Sequence, residues 1–212
     1  MATRIINPAP PNLPLGTEQY DRRYQDQFTN ILRLYFNQLK NALSELLNTE
    51  GGKYLNFPYG AFSSDQDQTT TANTATLMTL NTTDFSNGVS ISSSKITVAN
   101  AGIYNLQFSV QLENTNVAPQ DVFIWLKQNG TDITGSTGKV GIPARKTPAD
   151  PFHGIYGWNY FVNMAANDYI EIYWSTTNAN VSIQYYAASG TPTKPATQSV
   201  VATLSFVSAL PA

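Results

Sequence analysis

The chain contains no cysteine, a single histidine, and few charges: only 12% of its 212 residues are Asp, Glu, Lys or Arg, with a formal net charge of −2. Each lack excludes something. Without cysteine there is no disulfide framework, no thiol nucleophile and no thiolate metal site. One histidine, His153, leaves no zinc-ligand set and no nucleophile–base pair. A near-neutral chain with no basic stripe lacks the electrostatic footprint for nucleic acid or an anionic membrane surface. No apolar run approaches the roughly 18 residues of a membrane-spanning helix. No Gly-rich phosphate loop is present. The N-terminus "MATRIINPAPP" has no apolar signal core, so the three Asn-x-Ser/Thr sequons at Asn81, Asn129 and Asn180 are expected to be unused.

Asn, Thr, Ser and Gln are abundant instead, with 12% aromatics, a mixture suited to strands, turns and polar surfaces. Three segments follow. Residues 1–16 form a Pro-rich arm in which Pro8, Pro10, Pro11 and Pro14 fix φ and remove amide donors, so the arm is extended. It either packs on its own chain or docks on a partner. Residues 17–53 read as a helical stalk and Gly linker: one helix over 17–47, with Thr17 as N-cap and Glu18 and Asp21 in the first turn, stopped by "NTEGGK" with Gly51 and Gly52 as breakers. Its apolar stripe runs Tyr24, Phe28, Ile31, Tyr35, Leu39, Ala42 and Leu46, widened by Leu32, Leu34 and Leu43. A stripe period of about 3.67 residues favours nearly straight packing over a left-handed supercoil. That stripe packs either on its own domain or on other copies as a short bundle, and a long terminal helix behind a glycine pair favours the bundle.

Residues 54–212 read as a β domain. Ten runs with strand character begin at Tyr59, Ala75, Gly88, Lys95, Gly102, Asp121, Tyr156, Tyr169, Val181 and Ser199, separated by turn chemistry such as "KQNGTD" and "AANDY". This is the pattern of an antiparallel sandwich or jelly roll, and the lack of intervening helix-period segments disfavours a parallel α/β sheet. The run "GIYNLQFSVQLE" alternates with unusual regularity. Tyr104, Leu106, Phe108, Val110 and Leu112 are apolar, while Asn105, Gln107, Ser109 and Gln111 form a polar face with no charge before Glu113. Solvent-facing strands usually carry Lys or Glu, so the face is unexplained by exposure alone.

Catalytic and metal chemistry find little support. Asp65 and Asp67 supply too few oxygens for Ca²⁺, no two acids stand in a glycosidase-like motif, and no cofactor is expected. Trp125, Trp174, Phe123 and Tyr173 are expected in the core or at a subunit interface. Trp158, Tyr160, Tyr185 and Tyr186 are expected near strand ends, where a sugar could stack. The loop "GKVGIPARKTPADPFHG" concentrates Lys139, Arg145 and Lys146. Lys139, Arg145, Lys146, Trp158 and Tyr185 are therefore the candidates for contact with a cell-surface glycan.

Two resemblances add to this reading. "NAGIYNLQFSVQ", "DVFIWLKQNGTDI", "NYFVNMAANDYIEIYWS" and "SVVATLSFV" resemble, in order and spacing, strands of the complement component 1q and tumour necrosis factor-like jelly rolls, over roughly residues 57–208. Asn167–Asp168 stands where that superfamily usually has Gly-Asp, and its cysteines, collagen-like stalk and secretion signal are missing here. "NLPLGTEQYDRRYQDQFTNILRLYFNQLKN" resembles the leader of bacteriophage structural proteins, especially those of cyanophages, in which a Pro-rich arm and helix precede such a head. Together they imply a mainly β protein, a jelly-roll head preceded by one long helix, assembled as a homotrimeric virion appendage. The arm (Ile5, Ile6, Pro8, Pro10, Pro11, Leu13, Pro14) would anchor to other virion proteins. The helices would trimerise through Phe28, Ile31, Tyr35, Leu39, Ala42 and Leu46. In the first of these families the residues one and three places after the motif tyrosine face the three-fold axis, which implies that role for Asn105 and Gln107, with Ser109 continuing the face. The expected role is attachment as a tail fibre or knob, with a head fibre or capsid decoration lacking a receptor as the rival, and a secreted cytokine- or lectin-like ligand as the rival of another class.

Overall fold

The computed structural model describes residues 9–16, 18–47 and 57–210, with side chains of the helix described as far as Ser44. The chain divides into two units, Met1–Asn56 and Phe57–Ala212.

In the first unit, helix α1 spans Arg22–Leu47, 26 residues or about 39 Å at the α-helical rise. It starts later than position 17. Asp21 is the cap: its carboxylate accepts from the Arg23 amide at 2.8 Å, and its carbonyl accepts from Gln25 at 3.0 Å. An aspartate with extended backbone satisfies an orphan amide and meets the positive end of the helix dipole, so Asp21 takes the role expected of Thr17, which lies outside the described residues. Tyr24, Phe28, Ile31, Tyr35, Leu39 and Ala42 are half-buried along one side, and Tyr24 and Phe28 stack at 6.1 Å. Leu34, Phe36 and Leu43 stay exposed. The Tyr24 hydroxyl donates to the Pro14 carbonyl at 3.4 Å, which draws the end of the Pro-rich arm onto the first turn.

In the second unit the strands, in chain order, are β1 (Tyr59–Ser64), β2 (Gln68–Thr69), β3 (Thr76–Leu77), β4 (Thr82–Asn87), β5 (Val89–Ser92), β6 (Lys95–Val98), β7 (Gly102–Asn114) and β8 (Gln120–Gln128). Then follow β9 (Thr131–Asp132), β10 (Gly138–Ile142), β11 (Phe152–Met164), β12 (Tyr169–Thr176), β13 (Val181–Ile183), β14 (Ser189–Gly190), β15 (Thr193–Lys194) and β16 (Val200–Ser208). They form two seven-stranded sheets and a small hairpin, all antiparallel. In the first sheet β11 pairs with β7 along all 13 residues, whereas β13 takes only its last three and β16 the part before them. A strand has two sides, so β13 and β16 share one side of β7 and β11 lies on the other. The order is therefore β4, β1 with β2, β16 with β13, β7, β11. The second sheet runs β5, β6, β12, β8, β10.

The inward residues follow the period of two. Tyr104, Leu106, Phe108, Val110 and Leu112 from β7 meet Ile124 and Leu126 from β8 and Ile172 and Trp174 from β12, all buried. Full burial of one such side chain contributes about 1.5–3 kcal/mol. Turn chemistry places the strand ends. Asn129 and Gly130 both have positive φ (52° and 81°), the pairing a tight hairpin needs between β8 and β9. Asn167 at φ 68° takes the position where the resembled superfamily has glycine, and its amide donates to Val98 at 2.8 Å.

Several local expectations change. β11 begins at Phe152, not Tyr156, and β10 occupies what reads as loop. β4 carries only polar residues around one phenylalanine and gives no alternation to detect. Gln128 ends β8 and donates to Asn163 and to the Asp168 carboxylate at 3.0 and 2.9 Å, so it is a hydrogen-bonded residue and not a free turn position. Asn129 and the Ala165 amide also donate to Asp168, and these bonds hold its carboxyl below the usual range.

Candidate assembly face

The outer face of the first sheet is built by three strands in register. From β7 come Ile103, Asn105, Gln107, Ser109, Gln111 and Glu113. From β11, Phe161 lies opposite Asn105, Asn159 opposite Gln107, Gly157 opposite Ser109, Ile155 opposite Gln111 and His153 opposite Glu113. From β16, Ser205, Thr203 and Val201 flank Asn105, Gln107 and Ser109. The strand periodicity dictates this arrangement, since every inward neighbour is a core residue.

No lysine or arginine stands on these positions. The one carboxylate, Glu113, lies at the far end, where Nδ1 of His153 is 3.5 Å from its Oε2. Three apolar members are exposed: Ile155 is 68% exposed, Phe161 62% and Val201 38%. Asn105 is half-buried, and its Oδ1 is shielded from solvent with no hydrogen-bond partner. Leaving such an acceptor unpaired costs about 1–3 kcal/mol. Around Gly157 the missing side chain leaves a shallow hollow of about 430 Å³, bordered by Gln107, Ser109, Asn159, Val201 and Thr203. The outer edge of β11 has no strand beside it among the described residues. A 13-residue edge without lysine or proline is the kind natural proteins cover.

The outer face of the second sheet is the opposite in character. Lys95, Lys127 and Lys139 lie over Tyr169, Tyr173 and Phe123, with the ammonium 4.3, 4.5 and 5.7 Å from each ring centre. Lys139 pairs with Asp121 at 2.9 Å and Lys127 with Asp132 at 3.5 Å, while Asp132 also accepts from the Trp125 indole at 2.8 Å. This is how a sheet meets water: lysine stems shelter the rings and the charged heads stay hydrated. Only Trp174 of the four strand aromatics is in the core; Phe123, Trp125 and Tyr173 lie on this solvated face, because residue parity on β8 and β12 turns them outward.

The candidate glycan contacts lie on different elements, and most are engaged with other groups. Trp158 sits mid-strand in β11, facing inward, stacked on Phe108 at 5.6 Å and lying over Gly138, so it closes the sandwich edge instead of standing at a strand end. Tyr160, also mid-strand, donates to the Gly135 carbonyl. Lys139 belongs to β10, Lys146 pairs with Asp150 at 3.5 Å, and the Arg145 amide donates to Asn116 at 2.9 Å. Tyr185 lies beyond β13, its amide held by Asp67 at 2.8 Å. In the first unit, Phe28, Ile31, Tyr35, Leu39 and Ala42 share one helix side; the Leu46 side chain lies outside the described residues. Of the arm, Ile5, Ile6 and Pro8 lie outside them, Pro10 and Leu13 are exposed, and Pro11 and Pro14 are half-buried.

One group near the assembly face titrates abnormally. Burial, then the charges of Glu113 and Asp67, push the Tyr186 hydroxyl up to about 12. The folded state keeps this proton at pH values where the unfolded chain releases it. Its contribution to stability is therefore whole below pH ~10 and is lost as pH rises through about 12. Tyr186→Phe is expected to flatten part of the alkaline decline in urea midpoint between pH 9 and 12, and an unchanged slope would contradict the assignment.

Neither a family model nor a curated protein matches this sequence.

Proposed function

We propose that this chain is a homotrimeric virion structural protein, a short fibre or knob of a phage particle whose β domain is a jelly-roll head. The observation that carries the proposal is the segregation of charge between the two outer sheet faces. One face has lysines and acids in pairs; the other, apart from Glu113 and His153 at its far end, has amides, hydroxyls and the exposed Ile155 and Phe161. A face without charge is what a symmetry axis requires, since any charge there would meet two copies of itself at low dielectric. Amides of Asn105 and Gln107 can instead bond to their symmetry mates.

The strand order supports the jelly-roll reading. Two antiparallel sheets, with β4, β1, β16, β7 and β11 in one and β5, β6, β12, β8 and β10 in the other, are in keeping with a double-sheet jelly roll. The amphipathic helix and Pro-rich arm, similar to those that lead phage appendage proteins, supply the second oligomerising element and the anchor. Attachment would work by avidity, with three weak sites on one particle component. The inward direction of Trp158 and the pairing of Lys139 with Asp121 and Lys146 with Asp150 favour the sister reading, a head fibre or capsid decoration without a specific receptor. No helix of the described residues is long and apolar enough to cross a membrane, in keeping with a particle component.

Particles assembled with a chain lacking residues 1–16 provide the test. Loss of the protein from purified particles, with its oligomer intact in solution, is the expected result. Full incorporation without the arm would remove the anchoring role, and absence of the intact protein from particles would remove the virion assignment.

A further inference from the structure

Two turns at one end of the sandwich are tied together by Asp168. Its Oδ1 accepts from Nδ2 of Asn129 at 2.7 Å, and its Oδ2 accepts from Nε2 of Gln128 at 2.9 Å and from the Ala165 amide at 2.8 Å. Asn129, at the tip of the β8–β9 hairpin, is also held by its other amide atom: its Oδ1 accepts from the Tyr169 amide at 3.0 Å. Both polar atoms of one carboxamide are therefore fixed against the start of β12.

The residue after Asn129 is Gly130, and both are exposed. Asparagine followed by glycine is chemically labile, because no side chain shields the glycine amide nitrogen. In the reaction the Gly130 nitrogen attacks Cγ of Asn129. The new C–N bond closes a cyclic imide, the Cγ–Nδ2 bond breaks, and ammonia leaves with the proton from the Gly130 nitrogen. Water then opens the imide at either carbonyl and leaves aspartate or isoaspartate at position 129. One water is consumed, one ammonia is released, and nothing is oxidised or reduced.

The carboxamide must rotate to present its face to that nitrogen, and both bonds to β12 oppose the rotation. The bond to the Asp168 carboxylate is charge-assisted and is the stronger of the two. The product cannot return to the same contacts. A carboxylate has no donor, so in the place of Nδ2 it sets a second negative oxygen against Asp168. Isoaspartate adds a carbon to the main chain, which breaks the geometry of a tight hairpin.

We propose that Asn129–Gly130 is a deamidation site held in check by Asp168: while the carboxylate keeps the carboxamide, the hairpin tip stays an amide; once conversion occurs, the tip becomes acidic and separates from β12. Asp168 acts here as a positioning residue. The proposal stands on the monomer's own contacts and does not depend on the virion reading. The chain's other Asn-Gly pair, Asn87–Gly88, supplies an internal reference, with Nδ2 of Asn87 donating to the Phe57 carbonyl at 2.9 Å.

The test is peptide mapping by mass spectrometry of the full chain aged at mildly alkaline pH, which reads conversion at positions 129 and 87 separately. Position 129 is expected to convert about tenfold or more slowly in the native chain than in urea, and Asp168→Ala to recover most of that factor without urea. Asp168→Asn keeps an acceptor without its charge and is expected to fall between. Asp132→Asn, on the same hairpin, is expected to change nothing, since Asp132 serves Trp125 and Lys127. Asn129→Asp is expected to lower the urea midpoint, and adding Asp168→Asn to restore it by exchanging the two partners. Equal conversion at position 129 in native wild type and Asp168→Asn, or an increase shared equally by Asn87 in both Asp168 variants, would overturn the proposal.

Discussion

Gln107→Glu is expected to disperse the assembly while leaving the head folded. Gln107 is an exposed amide at the centre of the uncharged face, between Asn159 and Thr203 and at the border of the hollow over Gly157. In the isolated chain a carboxylate there points to solvent and costs little. On a three-fold axis it faces two copies of itself with no cation on any of the three strands. An uncompensated charge in such an interface costs about 3–5 kcal/mol, on the order of a hundredfold or more in the association constant. The comparison variant is Ser92→Glu, on an exposed position of β5 in the other sheet. Gln128→Glu is unsuitable, because it would set a second carboxylate against Asp168, where Gln128 now donates. Sedimentation at micromolar concentration distinguishes the two: Gln107→Glu shifted to monomer and Ser92→Glu unshifted supports an axis here, and equal behaviour returns the face to solvent.

The helix gives the second large effect. Ile31 and Leu39 lie at the centre of the half-buried side of α1. Ile31→Glu together with Leu39→Glu removes two large apolar contacts per copy and inserts two charges. At about 2–5 kcal/mol for each lost aliphatic side chain, helix association should fail outright. The helix and the β domain are separate units, so near-ultraviolet signals of the buried Trp174 and Tyr104 should persist. A helix whose stripe is merely solvated would tolerate both changes without loss of mass.

The sequence carried the strands whose two faces differ and concealed those whose faces do not. β7, β8, β12 and β16 show their alternation plainly because one side enters the core. β4 is polar or exposed along its length, and β10 holds two glycines in five residues, so neither offers a period. The helix start moved from Thr17 to Asp21 because both residue types cap well, and only the geometry of the Arg23 amide separates them. The outward direction of Asn105, Gln107 and Ser109 was legible from parity alone. That Ile155, Phe161 and Val201 join them was not, since neighbours across strands depend on register, which one sequence does not reveal. Trp158 misled for the same reason: its position in the chain suggests a loop end, while the pairing of β11 along all of β7 turns it into the sandwich. The Tyr186–His153 contact spans 33 residues and left no local signal.

The central claim is that the uncharged face and the helix hold three copies together. Multi-angle light scattering of the full chain at micromolar concentration tests it most directly. A single species of three times the 23.2 kDa chain mass, stable on dilution, is the predicted result; a clean monomer across the same range would contradict it.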